Sequence, residues 1–130
     1  MHAVTDLTDA AKALLDAPEY ATVATIDPDG QPQLSVVWIG RDGNDVLFST
    51  LWGRRKTTNL QRDARATLLV FPKDNPYQYV EIRGTVTLED DPTAAYIDEM
   101  SLKYTGNARF DGPRDGRVVV RLTPHRVVQH

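Results

Sequence analysis

The chain has 130 residues, the length of one domain, with 41% hydrophobic and 25% charged residues as in an ordinary globular protein. Its formal net charge of −3 has the wrong sign for a general nucleic-acid binder. The absence of cysteine excludes disulfides and thiolate chemistry.

Leu7, Ala10, Ala11, Leu14 and Leu15 recur at helical spacing and predict a helix over 7–15, with Asp6 or Thr8 as its cap and Pro18 beyond its end. The period then changes. Residues 20–26 are β-prone, and Asp27-Pro28-Asp29-Gly30 is a tight-turn signal. A strand over 31–40 follows, with Leu34, Val36 and Trp38 on one face and Val37 and Ile39 on the other. Both faces are apolar, so both are expected to be covered. Residues 41–44 form a second hairpin turn, 45–50 a third strand and 53–63 a short helix. Residues 65–71 are a fourth strand, apolar at Leu68, Leu69, Val70 and Phe71, and 72–76 are a loop.

Residues 77–89 read as a long strand, with Val80, Ile82, Val86 and Leu88 inward and Gly84 at a bulge or barrel corner. Asp91 and Pro92 cap and open a third helix to about residue 104. The stretch 105–116, with three glycines and a proline, reads as mobile, and 117–128 is the last strand. The expectation is a single domain over 1–130, mainly β with short helices. Its six antiparallel strands should curl into a closed or nearly closed barrel, which removes exposed edges. No window approaches the roughly 18 apolar residues of a membrane span. The N-terminus lacks the layout of a secretion signal, so a cytoplasmic address is expected.

The stretch 48–60 carries the chemistry. Between 54 and 65 stand five basic residues (Arg54, Arg55, Lys56, Arg62, Arg65) and one acid, Asp63. Three of the cations fall in the first turn of the predicted helix, where its dipole already presents positive charge and disfavours them by roughly a few tenths of a kcal/mol or more. A bound anion reverses that sign: free backbone N–H groups, two guanidinium groups and an ammonium converge on one phosphate, with the hydroxyls of Ser49 and Thr50 upstream. A solvated basic turn is the other reading.

Dinucleotide fingerprint, P-loop and nucleophile elbow are absent. The histidines His2, His125 and His130 are scattered, so no metal site is expected. Glu81 reads as an ion-pair partner. Tyr77 and Tyr79, flanking Gln78, are either packing residues of a strand or a ring platform. Trp38 is either core or a ring contact, and Trp52 is harder to account for as core.

These residues resemble a known family. The run from Ala21 to Trp38, through Asp27-Pro28-Asp29-Gly30, resembles the opening hairpin of the pyridoxamine-phosphate-oxidase-like split barrels. The run from Phe48 to Val70, with Gly53-Arg54-Arg55-Lys56-Thr57-Thr58-Asn59-Leu60, resembles their phosphate-binding segment. Stretches 79–86 and 121–127 resemble later strands, so the likeness spans about residues 7–128. Within the superfamily the chain looks most like the small flavin/deazaflavin oxidoreductases of actinobacteria.

The resemblance implies a six-stranded split β-barrel of the FMN-binding type, paired as a homodimer with two cofactor sites between subunits. Arg54, Arg55, Lys56 and Asn59 would hold the cofactor's phosphate or acidic tail. Gln33, Ser35, Val36 and Val37 would line one edge of the ring, with Ser49, Thr50 and Leu51 nearby. Tyr77, Gln78 and Tyr79 would come from the other subunit. The implied activity is that of a coenzyme F420-dependent oxidoreductase acting on a small unsaturated or quinone-like substrate. FMN is the alternative cofactor, and a non-catalytic carrier or a cofactor-free dimeric scaffold is the alternative role. Three adjacent cations suit the phosphodiester and polyglutamate tail of F420. Pyridoxamine-phosphate oxidases proper carry a further basic segment beyond the last strand, and this sequence ends at His130, so vitamin-B6 oxidation is not the expected chemistry. No catalytic acid or base is assigned, because such cofactors carry the chemistry and the protein supplies position and field.

Overall fold

The structure is a computed structural model and describes residues 3–129, so His2 and His130 lie outside the described residues. Helix α1 (Asp9–Asp16) starts at Thr8, whose hydroxyl accepts from the Ala11 N–H at 3.1 Å. It lays Ala11 and Leu15 on the core beside Leu7.

Seven strands follow: β1 (Tyr20–Ile26), β2 (Pro32–Trp38), β3 (Gly40–Asp42), β4 (Asp45–Leu51), β5 (Arg65–Val70), β6 (Val80–Asp90) and β7 (Arg117–Gln129). They form one antiparallel sheet in the order β2-β1-β5-β6-β7-β4-β3. Its two edge strands, β2 and β3, are consecutive in the chain with Ile39 alone between them, so the sheet curls until its edges are joined covalently. The curled sheet encloses Val23, Val37, Ile39, Phe48, Leu68, Ile82, Val120 and Leu122. Each such side chain contributes roughly 1.5–3 kcal/mol on burial.

The strand count is seven, not six, because the stretch expected as one strand over 31–40 breaks at Ile39. There the chain leaves β1 as its partner and takes β4. The backbone groups of Ile39 are met by side chains instead: its N–H donates to the Tyr104 hydroxyl at 2.8 Å, and its carbonyl accepts from Lys103 Nζ at 2.6 Å. Both come from helix α3 (Ala95–Thr105). The expectation that both faces of β2 are covered fails within one chain. Leu34 and Val36 are 62% and 67% exposed on the outer face.

Strand β6 begins at Val80 rather than at residue 77. Residues 77–79 belong to a turn in which the Tyr77 N–H donates to Asn75 Oδ1 and the Gln78 N–H to the Asn75 carbonyl. Gly84 does mark a bulge: the register with β7 shifts between Arg83 and Gly84. A Cβ there would press on the Thr123 carbonyl and come within 2.8 Å of Leu122 Cδ2.

Helix α3 starts three residues later than expected, after a turn ending at Ala94 (φ 59°), yet Asp91 still caps it, accepting from the N–H groups of Ala95 and Tyr96. Segment 106–116 is tied rather than loose. The Asp98 carboxylate accepts from the Phe110 N–H at 2.9 Å and holds the Arg114 guanidinium by two hydrogen bonds. These contacts, Arg114 first, hold the Asp98 carboxyl down at about 2.

Candidate functional site

Helix α2 (Arg55–Arg62) follows β4 through a turn in which Gly53 takes φ 85°. Arg54 is its N-cap residue, and no side chain caps it. Beside this junction lies a cavity of about 320 Å³. One wall is polar: Ser49, Thr50, Arg54, Lys56 and Arg117. The other is apolar: Val36, Val37 and Trp38 of β2, Ile97 and Met100 of α3, and Phe110. Trp38 stacks on Tyr104 with centroids 5.1 Å apart at 9°, and meets Phe110 edge-on at 5.7 Å.

Neither Arg54, Lys56 nor Arg117 belongs to an ion pair among the described residues. Burial pushes the Lys56 ammonium below its ordinary value, and Arg54 and Arg117 push it further. Burial likewise lowers Arg117, followed by Arg54, with Asp91 pulling the other way. The lining holds no Asp, Glu or His. Such a cavity can neutralise an anion and pack a planar apolar body, but it carries no carboxylate or imidazole to act as a general acid or base.

A second cavity, of about 400 Å³, shares Met100 with the first. Its cations are already engaged: Arg41 pairs with Asp16 at 2.8 Å, and Lys103 donates to the carbonyls of Leu15 and Ile39. The first cavity is therefore the candidate site.

Of the residues singled out in the sequence, the structure brings Val36, Val37, Ser49, Thr50, Leu51, Arg54 and Lys56 to this cavity. Arg55 and Asn59 turn instead to the β1–β2 hairpin. Arg55 pairs with Asp27 at 2.8 Å, and Asn59 Nδ2 donates to Asp27 Oδ1 and to the Thr25 hydroxyl. Gln33 bonds Thr25, and the Ser35 hydroxyl is buried with no hydrogen bond among the described residues. Tyr77, Gln78 and Tyr79 do not line the cavity of their own chain. Trp52 donates through Nε1 to Asp90, and Glu81 pairs with Arg83. Among the described residues no cluster of potential metal ligands exists, and no helix is long and apolar enough to cross a membrane.

Sequence reasoning missed Arg117, Phe110, Ile97 and Met100. The one available signal was Arg117 itself, a cation placed directly before the apolar run Val118-Val119-Val120.

A curled antiparallel sheet closed through Ile39, with α2 and α3 against it, is a split β-barrel, and the cationic cavity lies at its rim. The chain belongs to the pyridoxamine 5'-phosphate oxidase family, whose profile matches residues 7–130. It is similar to the pyridoxine/pyridoxamine 5'-phosphate oxidases of Cupriavidus necator (36% identity over 91 residues) and Thermobifida fusca (34% over 92). These alignments cover 68% and 69% of this chain but 42% and 41% of those proteins, so the chain spans well under half the length of these curated relatives. Among solved structures, an F420 reductase superposes with a TM-score of 0.86 at 30% identity, over 95% of this chain and 100% of the other. A conserved hypothetical protein of Mycobacterium tuberculosis (TM-score 0.76, 24% identity, 95% and 84% covered) shares the fold.

Proposed function

We propose that the protein is an oxidoreductase that binds coenzyme F420 in the Arg54–Lys56 cavity and reduces a small unsaturated or quinone-like substrate. The observation that carries this reading is the set of unpaired cations at the uncapped start of α2, facing an aromatic wall. These residues fit a ligand with a planar ring and an anionic arm. Arg54, Lys56 and the free N–H groups of α2 would neutralise the arm. Trp38, Phe110, Ile97 and Met100 would pack the ring and exclude water. The deazaflavin, when bound, supplies the hydride. With no carboxylate or imidazole in the lining, the substrate's proton would come from solvent or from the hydroxyl of Tyr20, which also lines the cavity. Likeness to an F420 reductase along the whole of that chain supports the choice of cofactor.

FMN is the second reading, favoured by membership of the phosphate-oxidase family and by the phosphate monoester's greater charge beside three cations. A soluble homodimer is part of the proposal. Leu34 and Val36 stand exposed beside Ala24 and Thr22 on one continuous outer face, which a second copy would cover. Tyr77, Gln78 and Tyr79 would then complete the partner's cavity rather than their own.

Titration of the purified protein with F420 and, separately, with FMN tests the reading. Tighter F420 binding is expected. Tighter FMN binding moves the protein to the second reading, and binding of neither overturns both. Turnover of reduced cofactor with a panel of acceptors separates an enzyme from a carrier. Val36→Asp should convert a sedimenting dimer to monomer; a wild-type monomer would refute the paired assembly.

A further inference from the structure

The three cavity cations form a gradient of burial: Arg54 is exposed, Lys56 is intermediate, and Arg117 is only 8% exposed. A guanidinium so deeply buried without an ion-pair partner among the described residues is costly, since water is largely excluded and the charge of Asp91 offsets only part of the burial. It is nevertheless held in place. Its Nε donates to the Pro113 carbonyl at 2.7 Å, the Phe110 ring covers it at 4.9 Å, and Nη1 reaches the Ser49 hydroxyl at 3.5 Å. Nη2 makes no hydrogen bond among the described residues, and the side chain lines the cavity. One edge of the guanidinium is thus anchored, and its outer nitrogens are available for a planar, two-point contact with an oxyanion.

We infer that Arg117, from the last strand, is an anion-binding residue of this cavity, taking the deeper side of a ligand oxyanion whose outer side Arg54 and Lys56 hold. With three cations and no carboxylate in the lining, the ligand carries at least two negative charges: a phosphate monoester, or a phosphodiester continued by carboxylates. The inference rests on the cavity being the cofactor's phosphate site, and its test separates the two.

The test measures the affinity of FMN against riboflavin, and of F420 against its phosphate-free riboside, in the wild type, Arg117→Met and Arg117→Lys. Arg117→Met should weaken both phosphorylated ligands by at least about tenfold, the effect of one charge-assisted hydrogen bond. The phosphate-free ligands should hold within about twofold, since the charge-assisted bond is to the phosphate alone. Arg117→Lys should lose less than Met and again only for the phosphorylated ligands, and it carries the test alone if the Met variant does not fold. Equal losses for phosphorylated and phosphate-free ligands would overturn the inference, because Arg117 would then act through its packing on Phe110 and Pro113. Undiminished FMN and F420 binding would overturn it as well. Failure of the underlying reading shows in the wild type instead, as no preference for phosphorylated over phosphate-free ligands.

Discussion

Arg117 and Arg121 stand four residues apart on β7, on the same side of the strand, and their surroundings are opposite. Arg121 meets three carboxylates from three strands: Glu89 of β6 at 2.8 Å, Asp45 of β4 at 3.1 Å and Asp42 of β3 at 3.2 Å. These contacts raise its pKa, Glu89 first, and they clamp β7 to both neighbours. Arg117 pairs with no carboxylate among the described residues, and burial lowers its pKa, with Asp91 opposing it only in part. The start of α2 divides the same way: Arg55 is paired with Asp27, while Arg54 and Lys56 have no ion pair among the described residues. A cation that the fold uses is neutralised by the fold. A cation left charged in a cavity is compensated only when something else arrives.

The largest effect expected from this division is at Lys56. Lys56→Met should weaken F420 or FMN binding by about 1.5–3 kcal/mol, the range for a charge-assisted hydrogen bond. It should leave the melting temperature of the unliganded protein unchanged or higher, because a half-buried ammonium without a partner is replaced by an apolar chain of similar length. Arg121→Met should do the reverse, lowering thermal stability while leaving the affinity ratio of FMN to riboflavin unchanged. Calorimetric melting and ligand titration on the same two variants check both. Lys56→Met that binds FMN as the wild type does would dissolve the distinction between paired and unpaired cations.

The pH dependence of Lys56 sharpens the same point. Its folded pKa lies below the unfolded value, so between the two the unfolded chain binds more protons. The stability of the unliganded protein should therefore rise with pH through that alkaline window. Anion binding needs the protonated form. Affinity should be constant from above the second ionisation of a phosphate monoester, at about 6, up to the lowered pKa of Lys56, and fall as pH rises through that pKa. The opposed slopes of stability and affinity are expected in the wild type, and both should flatten in Lys56→Met.

Local patterns made much of this legible. Alternation and the Asp27–Gly30 turn located β1 to the residue, Gly84 announced its bulge, and the run of adjacent cations pointed to the cavity. What was hidden depends on distant partners. The break at Ile39 is made by Tyr104 and Lys103, 65 and 64 residues away. Arg117 reaches the cavity because β4 pairs with β7, setting Leu51 opposite Arg117. Segment 106–116 has a loose composition, but its order comes from Asp98 on α3. Residues 77–79 continue a β-like alternation, and the hydrogen bonds of Asn75 override it.

A smaller effect separates stability from binding at Asn59. The side chain is 2% exposed, and Nδ2 links the Thr25 hydroxyl at 3.1 Å to Asp27 at 3.0 Å. Asn59→Ala leaves the buried Thr25 hydroxyl short of a donor and removes one of the hydrogen bonds to the half-buried Asp27, at a cost of about 1–3 kcal/mol. The denaturant midpoint should fall, with the FMN-to-riboflavin ratio unchanged. A tenfold loss of FMN affinity at unaltered stability would instead give Asn59 the phosphate role that the family resemblance implied.

The smallest effect is expected at Arg55, and it discriminates best among the three adjacent cations. Its side chain is 66% exposed, and its two hydrogen bonds to Asp27 form a surface pair. Such pairs contribute about 0–1 kcal/mol, because solvent screens the charges and both side chains lose freedom. Arg55→Ala should therefore move stability by no more than that, and ligand affinity by less than Lys56→Met does at every salt concentration. Salt-dependent titrations of the two variants side by side make the comparison. If Arg55→Ala cost as much binding as Lys56→Met, Arg55 would have to leave Asp27 for the ligand. Asp27→Asn, which releases Arg55, would then strengthen FMN binding; with Arg55 retained on the hairpin, it should leave FMN binding unchanged.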